Sequence, residues 1–211
     1  MSSELQIKIS AWNNGDTIPE KFAFGKYDKD NHVALSDNVS PEISWSNAPA
    51  GTKSFVLICH DSDVPSVGDD VNQEGKVVSA DLPRVDFFHW VLVNIPVGVN
   101  HIAEGAASNG ITPRGKKVGQ KEYGLAGIND YTAWFAGDAE MDGSYGDYDG
   151  PCPPWNDSII HHYYFTVYAL DIELLDLTGS FNGAEVMDAI ENHILDKSSH
   201  IGIYSLNPNV V

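Results

Sequence analysis

Cysteine is scarce in this sequence, and its scarcity limits the kinds of fold that the chain can adopt. Cys59 and Cys152 are the only two cysteines, and they do not form a CxxC pair. Two cysteines are too few for a disulfide-rich scaffold. Both lie next to residues that are candidates for a binding site, so a disulfide bond between them is one alternative. A reducing cytosol favours the alternative of two free thiols.

Basic residues are also few. The chain has 12 Lys and Arg against 30 Asp and Glu, which gives a formal net charge of −18. This charge argues against nucleic acid and anionic membrane surfaces as partners. A site for an anion must therefore be built locally, from histidines and backbone N–H groups, against an opposing overall field.

The sequence lacks a long hydrophobic run. No stretch approaches the length of a membrane-spanning helix, so stable membrane insertion is not expected. The first residues, M-S-S-E-L-Q-I-K, have no basic segment followed by an apolar one, so no signal peptide is visible. We expect a cytoplasmic protein, although a leader that has been removed stays an open alternative.

The residues that are abundant indicate a mainly β fold. The 211 residues include 19 Gly and 11 Pro and are 42% hydrophobic. Because these Gly and Pro residues separate short β-like runs, we predict an antiparallel β-sandwich with a few peripheral helices. We expect one domain over residues 1–211.

One helix is predicted near the C-terminus, over residues 182–197. Asn182 and Glu185 have the spacing of a capping box. An apolar stripe follows at helical spacing, formed by Ala184, Met187, Ile190, Ile194 and Leu195.

Three predicted core strands carry His or Asp at one end. Residues 54–60 precede the turn-like sequence D-S-D-V-P at 61–65, residues 87–96 include His89 near their start, and residues 163–170 follow the rigid sequence G-P-C-P-P at 150–154. We expect these ends to converge on one pocket. His161 and His162 are adjacent on a strand, so only one of them can face it.

Four other segments receive predictions. Residues 25–37 are polar and are expected to form a surface loop, and residues 66–86 are expected to hold a small hairpin around Glu74 and Gly75. The basic cluster 113–121 is interpreted as a solvated loop rather than an anion patch. Residues 134–146 are acidic, glycine-rich and aromatic, and are expected to form a rim or lid.

Six motifs occur in order along the chain: N-G-x-x-I-P-x-K-F, S-P-x-I-x-W-S-x-A-P-x-G-T-K-S, D-x-D-x-P, H-W-V-L-V-N-I-P, Y-x-G-P-C-P-P and H-x-Y-x-F-T-V-Y-A-L. Their order resembles the phosphatidylethanolamine-binding protein (PEBP) family, in its bacterial and archaeal YbhB/YbcL-like branch. The resemblance runs from about Trp12 to Tyr204. Residues 66–86 and 134–146 look like insertions relative to the family pattern.

The resemblance implies a PEBP-like β-sandwich with a small cavity that binds phosphate-like anions. Carried over motif by motif, it implies seven ligand-binding residues: Asp61, Asp63, His89, Gly150, Cys152, His161 and Tyr163. Histidine, tyrosine and backbone N–H groups can donate to phosphate oxygens, whereas an aspartate is expected to orient a histidine, hold it protonated or bind an amine head group. His162 stands where the family usually has Arg.

The predicted function is a regulatory binding protein for phosphoethanolamine or another phosphorylated ligand. The alternatives are a hydrolase that uses the same His and Asp residues, and a protein inhibitor of a kinase or protease. No catalytic residue, metal ligand or cofactor is predicted, because H-x-H, HExxH and G-x-S-x-G patterns do not occur. The resemblance also implies a homodimer and a possible protein partner.

Overall fold

The computed structural model describes residues 4–210, which are mostly β-strand. The strands are β1 (Gln6–Ile9), β2 (Gly25–Asp28), β3 (His32–Leu35), β4 (Ile43–Ser46), β5 (Ser54–Pro65), β6 (Arg84–Pro96), β7 (His101–Ile102), β8 (Gly115–Lys116), β9 (Gly119–Lys121), β10 (Gly124–Ala126), β11 (Ser144–Tyr145), β12 (His161–Leu170) and β13 (Ile194–Tyr204). The helices are α1 (Tyr131–Trp134) and α2 (Gly183–Ile190), and Glu20–Phe22 form a 3₁₀ turn. Within residues 4–210, no helix combines the length and the apolar character needed to cross a bilayer.

Two antiparallel sheets form the predicted sandwich. The larger sheet has the strand order β13-β12-β5-β6-β10-β9, and the smaller one has the order β1-β4-β7. The three predicted core strands β5, β6 and β12 lie side by side in the larger sheet. They are apolar on both sides because both faces of that sheet are covered. The prediction of an antiparallel β-sandwich is confirmed.

Each face of the larger sheet packs against a different partner. On one face, Phe55, Trp90 and Phe165 belong to the same buried cluster as Ile43 and Trp45 of the smaller sheet. On the other face, strand residues such as Val56, Ile58 and Val91 cluster with Val186 and Ile190 of α2. Fully burying one such side chain contributes roughly 1.5–3 kcal/mol, so both layers stabilise the central strands.

The capping box of α2 is confirmed, but the predicted length of the helix is wrong. Glu185 donates its backbone N–H to the Asn182 side chain, and the Glu185 carboxylate accepts from the Asn182 backbone. The helix ends at Ile190, and Ile194 already pairs with Leu170 of β12. Hydrogen bonding along the edge of a long sheet outweighs the weak helical preference of this segment.

The predicted turn at residues 61–65 is wrong, because β5 continues through it to Pro65. Val64 pairs with Val85 of β6, and the register shifts between Asp61 and Val64. The turn-like contact still forms, since Asp61 Oδ1 accepts from the Asp63 backbone N–H at 2.8 Å. A shift of register of this kind changes the direction of the side chains at the end of a strand, and here it lies beside Asp61.

Two loop predictions also differ from the structure. Residues 25–37 contain the antiparallel pair β2 and β3, whose tip is fixed by Asp28 accepting from the backbone of Asp30 and Asn31. The hairpin predicted around Glu74 and Gly75 is absent from the described chain, where these residues lie in a turn. The strands β2 and β3 are not recognisable in the sequence, because their side chains are mostly polar and only backbone hydrogen bonds define the pair.

Candidate functional site

A cavity of about 430 Å³ opens at one end of β5, β6 and β12. Five of the seven predicted site residues line it, namely Asp61, His89, Cys152, His161 and Tyr163. We call Asp61, His89, His161 and Tyr163 the polar end of the cavity. Most of the remaining lining is apolar or aromatic, and includes Phe24, Val33, Val64, Phe87, Tyr131, Trp134, Phe135 and Trp155.

Strand register brings the polar end together. Asp61 of β5 pairs with Tyr163 of β12 on one side and with Phe87 of β6 on the other. Directly opposed residues share a face of the sheet, and so do residues two apart along a strand. His161 therefore lies beside Tyr163, and His89 lies beyond Phe87, on the face that carries Asp61.

His161 lies between two carboxylates. Its Nδ1 is 2.7 Å from Asp61 Oδ2, and its Nε2 is 3.0 Å from Asp157 Oδ2. Burial alone would lower the pKa of His161, but the hydrogen bonds to Asp157 and Asp61 outweigh it and raise the pKa to about 9. The ring is therefore protonated at neutral pH and donates from both nitrogens.

Asp157 is held in place by Arg84. The guanidinium makes a bidentate pair with the Asp157 carboxylate, with N–O distances of 2.6 and 3.1 Å. Burial opposes ionisation of Asp157, yet the hydrogen bonds from His161 and Arg84 lower its pKa. The sequence analysis missed both residues. Asp157 lies four residues before His161 in an irregular loop, and no motif links it to Arg84 at the start of β6.

His89 presents one ring nitrogen to the cavity. Its Nδ1 donates to the backbone carbonyl of Asp149 at 2.8 Å. Burial lowers the pKa of His89, although the nearby charge of Asp61 opposes the shift. A neutral ring with a proton on Nδ1 has an acceptor at Nε2. His89 thus offers the cavity an acceptor, which becomes a donor when the ring takes up a proton.

The Tyr163 hydroxyl is buried beside the Asp61 carboxylate, and it makes no hydrogen bond of good geometry within residues 4–210. Burial and the charge of Asp61 raise the pKa of Tyr163 well above its usual range, so the hydroxyl keeps its proton. The rings of Tyr163 and His89 pack edge to face, with centroids 5.2 Å apart. A buried hydroxyl without a partner costs on the order of 1–3 kcal/mol, and such groups occur where a ligand completes the site.

Two predicted site residues do not line the cavity. Asp63 accepts hydrogen bonds from the backbone and the ring of His162, both at 2.8 Å, on the outer side of the strand. Gly150 donates its N–H to Asn38 Oδ1 and accepts at its carbonyl from the Tyr131 hydroxyl. His161 is buried and His162 is exposed, as the alternation of side chains on a strand predicts.

Comparison with known proteins identifies the family. The family model described as phosphatidylethanolamine-binding protein matches residues 8–205. The chain belongs to the phosphatidylethanolamine-binding protein family.

Similar proteins agree with this membership. The UPF0098 protein of Methanothermobacter thermautotrophicus is 30% identical over 200 residues, which are 95% of this chain and 98% of that protein. The UPF0098 protein YbhB of Escherichia coli is 30% identical over 193 residues, 91% of this chain and 94% of YbhB. The crystal structure of E. coli YbcL, titled a new member of the mammalian PEBP family, superposes with a TM-score of 0.68 at 24% identity and covers 96% of this chain and 99% of that one.

In this PEBP-family chain, buried ion pairs hold the loop that borders the cavity. Asp149 is fully buried and accepts from Asn38, Asn129 and Lys116 at 2.8, 2.8 and 2.9 Å. Asp147 pairs with Lys121 at 2.6 Å. The interpretation of residues 113–121 as a solvated loop is therefore wrong for Lys116 and Lys121, because their ion pairs hold Asp149 and Asp147 in the loop that borders the cavity.

The cysteines of this PEBP-family chain are free thiols, with Cys59 buried and Cys152 partly buried. Burial raises the pKa of Cys152 to about 12 and that of Cys59 well above its usual range. A protonated thiol is a poor nucleophile, so the geometry gives no support to a nucleophilic role for Cys152. Among residues 4–210, no three His, Cys, Asp or Glu side chains are grouped so as to hold a metal ion.

Proposed function

We propose that this chain is a binding protein for a small phosphate monoester, such as phosphoethanolamine, whose phosphate group sits at the polar end of the cavity. The observation that carries the proposal is the buried Tyr163 hydroxyl, which makes no hydrogen bond of good geometry within residues 4–210 and whose ring packs against that of His89. A ligand oxygen placed against both side chains would satisfy the hydroxyl. It would also meet the one ring nitrogen of His89 that is not already bonded to the backbone.

The protonation states decide which form of the ligand fits. The Tyr163 hydroxyl keeps its proton at neutral pH and can donate it to a ligand oxygen, whereas His89 is neutral there and accepts at Nε2. The second pKa of a phosphate monoester is about 6, so a substantial fraction of the ligand is the singly protonated monoanion near this pH. Its P–OH group donates to His89, or the proton moves to the ring and His89 donates back. In both cases the bound site holds one more proton than the dianion and the free site together.

The charges at the polar end and directly behind it sum to zero, so as a group they do not repel a negative ligand. His161 and Arg84 carry two positive charges against the two negative charges of Asp61 and Asp157. This group is neutral as a whole, although the chain has a net charge of −18. Because both ring nitrogens of His161 already donate to carboxylates, His161 would act on the ligand through its charge and position.

Two features favour binding over hydrolysis. The Cys152 thiol is protonated, since burial raises its pKa to about 12. Asp157 has a lowered pKa and is already paired with Arg84 and His161, so it has no proton to give to a leaving group. Together with the Tyr163 hydroxyl and the free ring nitrogen of His89, these two features support phosphate binding over hydrolysis.

Calorimetric titration with phosphoethanolamine near pH 6 tests the proposal. His89→Ala should weaken binding about 10- to 100-fold, which corresponds to the loss of one charge-assisted hydrogen bond. His162→Ala is the matched control, because His162 is adjacent to His161 in the chain but does not line the cavity. This variant should bind the ligand as tightly as the wild type does. Equal affinity in wild type and His89→Ala would contradict the proposal. Release of phosphate that disappears in His89→Ala would favour the hydrolase instead.

A further inference from the structure

We propose that the outer part of the cavity is a subsite for an aromatic ring, so that the preferred ligand is an aryl phosphate monoester. This inference rests on the proposed function, because it assigns a place to the organic group of the same ligand. The subsite is formed by six aromatic side chains, which we call the aromatic wall: Phe24, Phe87, Tyr131, Trp134, Phe135 and Trp155.

The aromatic wall begins directly at the polar end. The ring centroid of Phe87 lies 4.9 Å from that of His89 and 5.3 Å from that of Tyr131. Tyr131 stacks on Phe24 at 4.7 Å and on Phe135 at 5.6 Å. A group attached to a phosphate at His89 would therefore contact aromatic surface from its first atoms onward.

Part of the wall is held rigidly. The Tyr131 hydroxyl donates to the Gly150 carbonyl at 2.7 Å, which ties the ring to the loop behind it. On the opposite rim, Trp155 stacks on His32 with centroids 3.8 Å apart, and His32 is 2.6 Å from Glu74. Preorganised rings bind a flat partner with little loss of side-chain freedom.

The size of the cavity argues against a bare phosphate as the full ligand. Its volume of about 430 Å³ lies within the range of sites that hold a whole small organic molecule. A phosphate group at His89 and Tyr163 would occupy only one end. The rest of the space has mainly apolar walls, which favour an apolar group over an ion or a second polar one.

Trp134 supplies a further observation. It belongs to the segment 134–146, predicted from the sequence to be a rim, and it lines the cavity while 57% of its surface is exposed. An aromatic ligand that reaches the mouth would cover this indole. Aromatic pairs prefer stacked or edge-to-face contact and gain affinity beyond simple burial.

An aromatic wall can also bind a quaternary ammonium group, and this is the competing occupant. Such a cage usually draws on free negative charge near the rings. The carboxylates of Asp61 and Asp157 are instead both hydrogen-bonded to protonated His161. We therefore assign the subsite to a neutral aromatic ring.

Calorimetric titration with inorganic phosphate, phenyl phosphate and phosphocholine tests this assignment. Phenyl phosphate should bind at least about tenfold more tightly than inorganic phosphate. Trp134→Ala should weaken phenyl phosphate about three- to tenfold and leave inorganic phosphate unchanged. Leu174→Ala, which alters another exposed apolar residue away from the cavity lining, is the control and should change neither value.

The outcomes separate this inference from the proposed function. Equal affinities for phenyl phosphate and inorganic phosphate, both lost in His89→Ala, would overturn the aromatic subsite and leave the phosphate site intact. Phosphocholine binding more tightly than phenyl phosphate would overturn the assignment in favour of a cation cage. If none of the three ligands binds, or if binding is equally tight in the wild type and in His89→Ala, the proposed function itself is overturned.

Discussion

The Nε2 atom of His161 lies 3.0 Å from Oδ2 of Asp157, and this contact ties the loop that follows G-P-C-P-P to the core strand β12. Asp157 and His161 are both almost fully buried. The pair is completed by Arg84 on one side and by Asp61 on the other. The two carboxylates keep His161 charged, and the charged ring holds them in place.

Replacing Asp157 by Asn should lower the pKa of His161 from about 9 toward its usual value. Loss of one nearby negative charge lowers a histidine pKa by about 1 or more. Because Arg84 also loses its buried partner, the free energy of unfolding should fall by about 3 kcal/mol. NMR titration of the imidazole resonances and urea denaturation measure the two effects.

Asp63→Asn is the control for that experiment. Asp63 contacts the exposed His162 at 2.8 Å and does not line the cavity, so the pKa of His161 should stay where it is. A His161 pKa that is unchanged in Asp157→Asn, or lowered equally in both variants, would contradict the role given to Asp157.

Stability should fall as the pH rises through the weakly alkaline range. The pKa of His161 is about 9 in the folded chain, against an ordinary value of 6.5. A raised folded-state pKa adds stability that is complete below the ordinary value and is lost as the pH approaches the folded-state value. Between about pH 6.5 and 8.5 the loss due to His161 should be roughly 2 kcal/mol. Burial lowers the pKa of His60, His89 and His200, so these three histidines add stability over the lower part of this window and offset part of that loss. Asp157, with its lowered pKa, and Tyr163, with its raised pKa, do not change charge in this window.

Denaturation at several pH values measures this slope, and Asp157→Asn provides the comparison. The variant should show a flatter dependence, because its His161 titrates nearer to 6.5 in both states. A pH dependence of stability that is the same in the wild type and in Asp157→Asn would exclude a strongly raised His161 pKa. The raised thiol pKa values of Cys59 and Cys152 also lower stability from about pH 7.5 upward, where unfolded cysteines begin to ionise, and this effect is common to the wild type and the variant.

Gly150→Ala should destabilise the chain, because an added Cβ would lie 2.0 Å from the backbone oxygen of Phe22. Backbone atoms cannot move aside as the end of a side chain can, so we expect a cost of about 1–3 kcal/mol or more. Gly98→Ala is the matched control, since nothing lies within 4 Å of its added Cβ. Thermal unfolding compares the two, and equal melting temperatures would contradict the tight contact.

Homodimer formation stays a prediction from the family resemblance. Light scattering on the purified chain at high concentration should give twice the monomer mass of 23.0 kDa. A mass that stays at the monomer value would count against a dimer.

Much of the fold was predictable because its central strands are buried on both faces. The apolar runs at 54–60, 87–96 and 163–170 became β5, β6 and β12, and the motifs along them identified the family. The capping box at Asn182 was equally clear, since it depends on two side chains three residues apart. Local patterns of this kind predict the same strand or helix terminus whatever the rest of the fold is.

Contacts between distant segments were not predictable from local patterns. Arg84 and Asp157 are 73 residues apart, and nothing in either neighbourhood shows that they pair. Lys116 and Asp149 meet only because the loops that carry them are folded over one another. The end of α2 was missed for a related reason, since Ile194 and Leu195 continue the helical pattern but pair with strand β12 or lie beside it.

The most direct test of the proposed site follows the His89 ring by NMR while phosphoethanolamine is bound. A phosphate group at Nε2 stabilises the charged ring, so the pKa of His89, lowered by burial in the free chain, should rise by about 1 or more on binding. Because the bound site holds one proton more than the dianion and the free site together, the affinity should decrease as the pH rises above about 6, where neither the free ligand nor the free ring carries that proton. The ring resonances of His162, which is exposed and outside the cavity, should not change when the ligand is added. Saturable binding that leaves the pKa of His89 unchanged would contradict the account.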